Sequence, residues 1–260
     1  YAHRPLALQA PASTTKLVSC GGALGILGKD FRFRTNVVIT GELKDGVVTG
    51  DLVLIASGDP NLSQRPDGKG RLRFVDRDHS YAGFSEADLV PGDPLQTLRE
   101  MARNIAARGV KEIKGDVVVD DGLFKETRDS FVGNFSAICI NDNLVDFTIK
   151  PGDKPGDKVQ AAWQPNLDPV KVKIEARTVE KTGPQRLWIE SAAGPASFVI
   201  KGTQPAGSRP TIRVGKLSNP PLAAAHLFAA VLEKEGIRIR GERQQAAFGP
   251  KVYMDYEVVA

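Results

Sequence analysis

Between Ala137 and Val214 apolar and polar residues alternate, as in Val170-Lys171-Val172-Lys173-Ile174-Glu175, and Gly or Pro interrupts the pattern about every ten residues. Alternating side chains leave an extended backbone on opposite faces, so this texture predicts short strands with one covered face, joined by turns. It begins earlier in the chain. Val37-Val38-Ile39 and Val47-Val48 flank the turn Lys44-Asp45-Gly46, and Leu52-Val53-Leu54-Ile55 reads as a buried strand. A chain patterned in this way must build most of its core from sheets.

Helical spacing is confined to three places. Leu17, Cys20, Leu24 and Leu27 step by three and four, Pro11 stands near the start and Gly28 at the left-handed stop, which predicts a helix from about Ser13 to Leu27. Asp93-Pro94-Leu95-Gln96 combines an N-cap, a proline at the first helical position and a capping-box glutamine, and leads into Leu98, Met101 and Ile105 before Gly109. Gly115-Asp116-Val117-Val118-Val119-Asp120 then reads as a strand. The third helix starts at Pro220-Pro221, carries Leu222, Ala225, Phe228, Ala229 and Leu232 on one face, and ends at Gly236. Residues 63–94, with Pro66, Gly68, Gly70, Pro91 and Pro94, read as a long loop. The fold class predicted is α+β.

Charge and composition exclude several functions. A net charge of +4, from 35 basic and 31 acidic residues spread along the chain, does not favour nucleic-acid binding. Apolar runs fall far short of the roughly 20 residues that a spanning helix needs, so no membrane span is predicted. Cys20 and Cys139 lie far apart with no paired ligand spacing, which argues against a metal site and against a disulfide framework. Cys20 is expected as a small buried hydrophobe on the apolar face of the first helix, and His3, His79 and His226 as surface or packing residues. The cluster Arg71, Arg73 and Arg77 is expected to be a solvated loop face.

The chemistry rests on Ser13-Thr14-Thr15-Lys16. In a helix this spacing sets hydroxyl and amine about one turn apart on the same face, so that a neutral lysine can take the serine proton while the helix N-terminus favours negative charge on the oxygen. With 12 serines and 17 lysines in 260 residues, chance supplies about 0.8 such pairs, so the spacing alone decides nothing.

Its surroundings decide it. Arg4-Pro5-Leu6, Pro11-Ala12-Ser13-Thr14-Thr15-Lys16-Leu17 and Phe31-Arg32-Phe33-Arg34-Thr35 are followed by Gly50-Asp51-Leu52, Gly58-Asp59-Pro60-Asn61-Leu62, Asp120-Asp121-Gly122-Leu123-Phe124, Asn141-Asp142-Asn143 before Pro151-Gly152, and Leu227-Phe228 with Gly236-Ile237. In this order they resemble the class C penicillin-binding proteins, the D-alanyl-D-alanine carboxypeptidase/endopeptidase family, over nearly the whole chain. The resemblance implies Ser13 as the nucleophile and Lys16 as the general base. It implies acylation by peptidoglycan stem peptides ending in D-Ala-D-Ala, or by β-lactam antibiotics, and an exported protein of the periplasm or cell envelope. It implies no cofactor and admits a homodimer.

It also implies an organisation. Residues 1–36 would open a penicillin-binding/β-lactamase-like transpeptidase domain, residues 37–215 would form a large β-rich insertion, open to division into two nested parts, and residues 216–260 would return to the catalytic domain. The family's Ser-x-Asn motif and Lys-Thr-Gly strand lie beyond the helix that matches Pro221–Glu235, and neither follows before Ala260. The sequence is therefore expected to be part of a longer protein and inactive alone. Lys181-Thr182-Gly183 spells the right triplet but is followed by Pro184 between strand-like segments, and reads as a hairpin turn. Asn141-Asp142-Asn143 lacks the hydroxyl of Ser-Asp-Asn and reads as a turn or bulge. The rival readings are a β-lactamase-like hydrolase and a non-catalytic, wall-binding relative.

Overall fold

A computed structural model describes residues 12–63, 65–67, 69, 71–83, 86–124, 127–129, 133–167 and 169–260, with backbone alone at 127–129 and 133–135. His3, Arg4-Pro5-Leu6, Pro11, Gly68 and Gly70, all used in the sequence reading, lie outside the described residues. The chain divides into two units, residues 1–34 and 35–260.

In the first unit a 3-10 turn, Ala12–Thr14, leads into helix α1, Thr15–Leu27. Gly28 ends the helix as expected, with φ 80° and its N–H bonded to Leu24 O. Phe31 and Phe33 then meet edge to face at 5.2 Å. No residue of α1 is buried, and Cys20 is exposed, which corrects its expected burial. The spacing of Leu17, Cys20 and Leu24 gives the helix an apolar face, but nothing within residues 12–34 covers it.

The second unit opens with β1 (Asn36–Ile39), β2 (Leu43–Lys44), β3 (Val47–Val48) and β4 (Leu52–Ile55), and continues through α2 (Gln96–Ala107), β5 (Glu112–Ile113) and β6 (Val117–Asp120). A short ribbon, β7 (Thr127–Asp129) and β8 (Gly133–Phe135), precedes β9 (Leu144–Lys150), β10 (Gln160–Gln164), β11 (Lys171–Ile174), β12 (Arg177–Val179), β13 (Arg186–Ser191), β14 (Ser197–Pro205) and β15 (Thr211–Lys216). Helix α3 (Pro220–Lys234) and strands β16 (Arg238–Ile239), β17 (Arg243–Ala246) and β18 (Glu257–Val258) complete it.

Two cores follow from this order. In the first, β17-β6-β4-β1-β18 form a mixed sheet, with β4 antiparallel to β1 and parallel to β6. Every residue of β4 is buried: Leu52 and Leu54 face the core of α2 and α3, whereas Val53 and Ile55 pack with Val38 and Tyr253 on the other side. An uninterrupted apolar run is what a central strand covered on both faces requires. Alanines 224, 225 and 229 of α3 lie against this sheet beside Phe228, Val231 and Leu232. The N-cap Asn219 accepts from the N–H of Leu222 at 3.1 Å, and Pro220 and Pro221 fill positions where no N–H is needed. Helix α3, within residues 216–260, shares one core with the strands of 36–55. Phe228 drives this, since it needs a covered apolar surface and the sheet supplies it.

The second core lies in residues 144–217. The sheet β10-β9-β15 and the sheet of β11, β12, β13 and β14 bury Phe147, Ile149, Phe198 and Ile200 between them, with the rings of Phe147 and Phe198 edge to face at 5.5 Å. Gly215 lies so close that a Cβ there would stand 2.5 Å from the Phe198 ring.

Two local expectations are corrected. Helix α2 begins two residues later than Pro94, and Gln96 reaches forward to Glu100 instead of back, so no capping box forms. Asp93 still caps: its Oδ1 accepts from the N–H of Leu95 at 2.9 Å and its Oδ2 from Arg99 Nε at 2.6 Å. Lys181-Thr182-Gly183 does form a turn, closed by Gly183 N–H to Glu180 O at 2.7 Å, but not a hairpin. Its flanking strands β12 and β13 pair with opposite edges of β14, one parallel and one antiparallel, so the loop crosses over the end of that strand.

Candidate active site

Ser13 and Lys16 are brought together as the spacing predicts. Ser13 lies in the turn that opens α1, and Lys16, in the first turn of the helix, donates from Nζ to Ser13 Oγ at 3.1 Å. The preceding Ala12 takes φ 46°, a left-handed conformation that a Cβ-bearing residue rarely adopts. Ser19 Oγ caps the inside of the same turn, donating to the carbonyls of Thr15 and Lys16. The serine therefore stands at the positive end of the helix dipole with an amine in hydrogen-bond reach. That geometry lets an amine in its neutral form receive the hydroxyl proton as the oxygen attacks.

In the second unit the sequence reading missed a buried polar cluster centred on His79, one of the three histidines expected at the surface or as simple packing. His79 is 1% exposed, with Nδ1 2.7 Å from Asp146 Oδ1 and Nε2 2.7 Å from Asp142 Oδ2. Burial alone would push the imidazole down, but the hydrogen bonds to Asp142 and Asp146 and their charges outweigh it and raise the group to about 10. His79 is thus an imidazolium bonded to two carboxylates.

The three residues Asn141, Asp142 and Asn143 are the other half of this arrangement. All three have φ between 52° and 55°, a run that Asn and Asp tolerate better than other side chains. They form a left-handed turn, within the expected turn or bulge, that buries the Asn141 side chain and sets the exposed Asp142 against His79. Asn141 N–H donates to Ser63 Oγ, its Oδ1 accepts from Arg65 Nη2, and its Nδ2 donates to Leu144 O and to Asp146 Oδ2. Gln164 Nε2 donates to the same Asp146 oxygen at 2.9 Å. The cluster pins the long loop 63–94 to β9. The signal in the sequence was the run of three Asn/Asp residues, which favours αL; its partner across the fold, His79, had none.

A second buried carboxylate orders the end of β6. Asp120 Oδ1 accepts from the N–H groups of Gly122 and Gly249, and Oδ2 from Phe248 N–H and from Tyr253 Oη–H at 2.7 Å. Burial and this bond to Asp120 push the Tyr253 hydroxyl up, so it remains a donor. Asp121 accepts from Ile138 N–H and Ser136 Oγ–H. The landmark Asp120-Asp121-Gly122 is therefore a junction of backbone segments. Cys139 is held as a thiol, pushed up to about 12 by burial and by the charge of Asp142. Arg71, Arg73 and Arg77 are exposed, Arg71 paired with Asp67.

A family model described as D-Ala-D-Ala carboxypeptidase 3 (S13) family matches residues 1–250. The chain belongs to this family. A curated relative, a D-alanyl-D-alanine carboxypeptidase of Actinomadura sp. (strain R39), is 24% identical over 266 residues, covering 96% of this chain and 44% of the relative. Among solved structures, penicillin binding protein 4 (dacB) from Haemophilus influenzae shares the fold with a TM-score of 0.70 at 18% identity, over 97% of this chain and 50% of that one. The same protein complexed with a novel β-lactam (CMV) gives a TM-score of 0.67 at 20% identity, over 96% and 48%. This S13 chain thus spans about half the length of the relatives it matches, and its α+β fold is theirs.

Proposed function

We propose that the protein to which this chain belongs is a serine D-alanyl-D-alanine carboxypeptidase of the cell envelope, with Ser13 as nucleophile and Lys16 as general base. The observation that carries this reading is the 3.1 Å contact between Lys16 Nζ and Ser13 Oγ at the opening of α1, inside a family match over residues 1–250. Ser13 Oγ attacks the carbonyl carbon of the penultimate D-alanine as Lys16 accepts its proton. The C–N bond then breaks, the leaving D-alanine takes up a proton at its nitrogen, and water hydrolyses the ester to return the serine. A β-lactam enters by the same attack, its ring amide breaking in place of the peptide.

Endopeptidase cleavage of cross-linked stem peptides uses the same acyl-enzyme, differing in the amine that leaves. In this reading a catalytic domain is interrupted by a β-rich insertion that begins at residue 37 and nests the core of residues 144–217 within it, and the division of the chain after residue 34 together with its two cores supports this. The experiment is incubation of the complete protein with a penicillin, followed by peptide mass mapping. An adduct on Ser13 supports the reading, and an adduct on another serine overturns it.

A further inference from the structure

Arg213, on β15, is a half-buried cation whose hydrogen-bond partners among the described residues are all backbone carbonyls. Nε donates to Leu187 O at 3.0 Å, and Nη1 to Ile212 O at 2.8 Å and to Ala82 O at 3.3 Å. Burial holds its pKa below the ordinary guanidinium value, and no carboxylate among the described residues offsets that burial. A buried charge is usually paired, because carbonyl dipoles replace only part of the hydration it loses. Nη2 has no acceptor among the described residues.

Arg213 lines a cleft of about 450 Å³ with Ala82, Gly83, Glu86, Ala87 and Asp88 on one side and the start of β15 on the other. That size is in the range of small-ligand sites, about 300–1,000 Å³. Arg209 stands on its rim. Gln185 and Thr211 form one wall, joined by Gln185 Nε2 to Thr211 Oγ1 at 2.7 Å, which leaves the Gln185 carbonyl oxygen to accept from a ligand N–H. Glu86 and Asp88 are exposed on the opposite side, where water screens them, and they disfavour a doubly charged guest more than a singly charged one.

We propose that this cleft binds the free carboxylate of a short peptide, with Arg213 Nη2 and Arg209 taking the carboxylate and Gln185 and Thr211 taking the adjoining amide. The assignment does not need Ser13.

The test is a ¹H–¹⁵N titration of this chain with N-acetyl-L-alanyl-L-alanine, with its C-terminal amide, and with inorganic phosphate. The acid should shift the amides of Gln185, Arg209 and Thr211 to Arg213 saturably, and the amide derivative should bind about tenfold more weakly or worse, as loss of a charge-assisted hydrogen bond requires. Arg213→Gln should abolish the preference for the acid. Asp88→Asn, on an exposed side chain, should tighten the acid and leave the amide unchanged. Should Arg213→Gln fail to fold, the acid–amide difference and Asp88→Asn decide. Equal binding of acid and amide, shifts outside the cleft, or phosphate binding as tightly as the acid would each overturn the assignment. Ser13→Ala must leave the titration unchanged, so its outcome is independent of the carboxypeptidase reading.

Discussion

Replacing His79 with glutamine tests what holds the long loop to the sheet. The imidazole has an ordinary value of 6.5 and the fold raises it to about 10, so the folded chain keeps a proton that the unfolded chain gives up. Its stabilisation is therefore complete below pH 6.5 and fades as the pH climbs toward 10. At about 1.4 kcal/mol per pH unit across that window, the full effect is at most about 5 kcal/mol. His79→Gln leaves Asp146 buried beside a neutral amide, a loss of about 3–5 kcal/mol at pH 6. Urea denaturation of wild type and variant from pH 6 to pH 10 reads both. Wild type should lose stability steadily above pH 6.5, and the gap between the two proteins should close by pH 10. Cys139, whose thiol the fold holds up, adds a further fall above about pH 9, but it does so in both proteins and drops out of the difference. A wild-type profile that is flat from pH 6.5 to 9, or a variant that keeps the wild-type slope, would refute the assignment of His79 as a buried cation.

Three further outcomes follow from the geometry. Tyr253→Phe removes one of the four donors on Asp120 and should cost about 1–3 kcal/mol, read as a lowered urea midpoint without a change in slope. Gly215→Ala sets a methyl group against the Phe198 ring and should cost about 1–3 kcal/mol by overpacking, again in the urea midpoint, whereas an unchanged midpoint would mean that the two sheets part without strain. In the complete protein Lys16→Arg keeps positive charge but cannot surrender a proton near neutral pH, so the second-order rate of acylation by a penicillin should fall about 10²–10⁴-fold, as for loss of a general base. An arginine variant within about tenfold of wild type would make Lys16 an electrostatic anchor.

The parts of the fold written in local pattern were legible before the structure. The end of α1 with its cap at Gly28, the burial of β4 and the alternation in β11 each follow from residues within a few positions of one another. What escaped was set by contacts across the chain. His79 and Asp146 stand 67 residues apart, and nothing near His79 announces a carboxylate. The turn at Lys181-Thr182-Gly183 was evident from Pro184, but whether its strands pair depends on β14, which takes both of them. The apolar face of α3 was plain, yet only the sheet order shows that it covers β6 and β17 and so belongs with the strands of 36–55. Ser13 and Lys16 were legible because one helical turn fixes their distance.

The most direct test of the central proposal is the site of penicillin attachment in the complete protein. Incubation, proteolysis and mass mapping should place a single adduct on the peptide that carries Ser13, and Ser13→Ala should abolish it while leaving the urea midpoint unchanged. Attachment to a different residue, or full labelling of Ser13→Ala, would contradict the account.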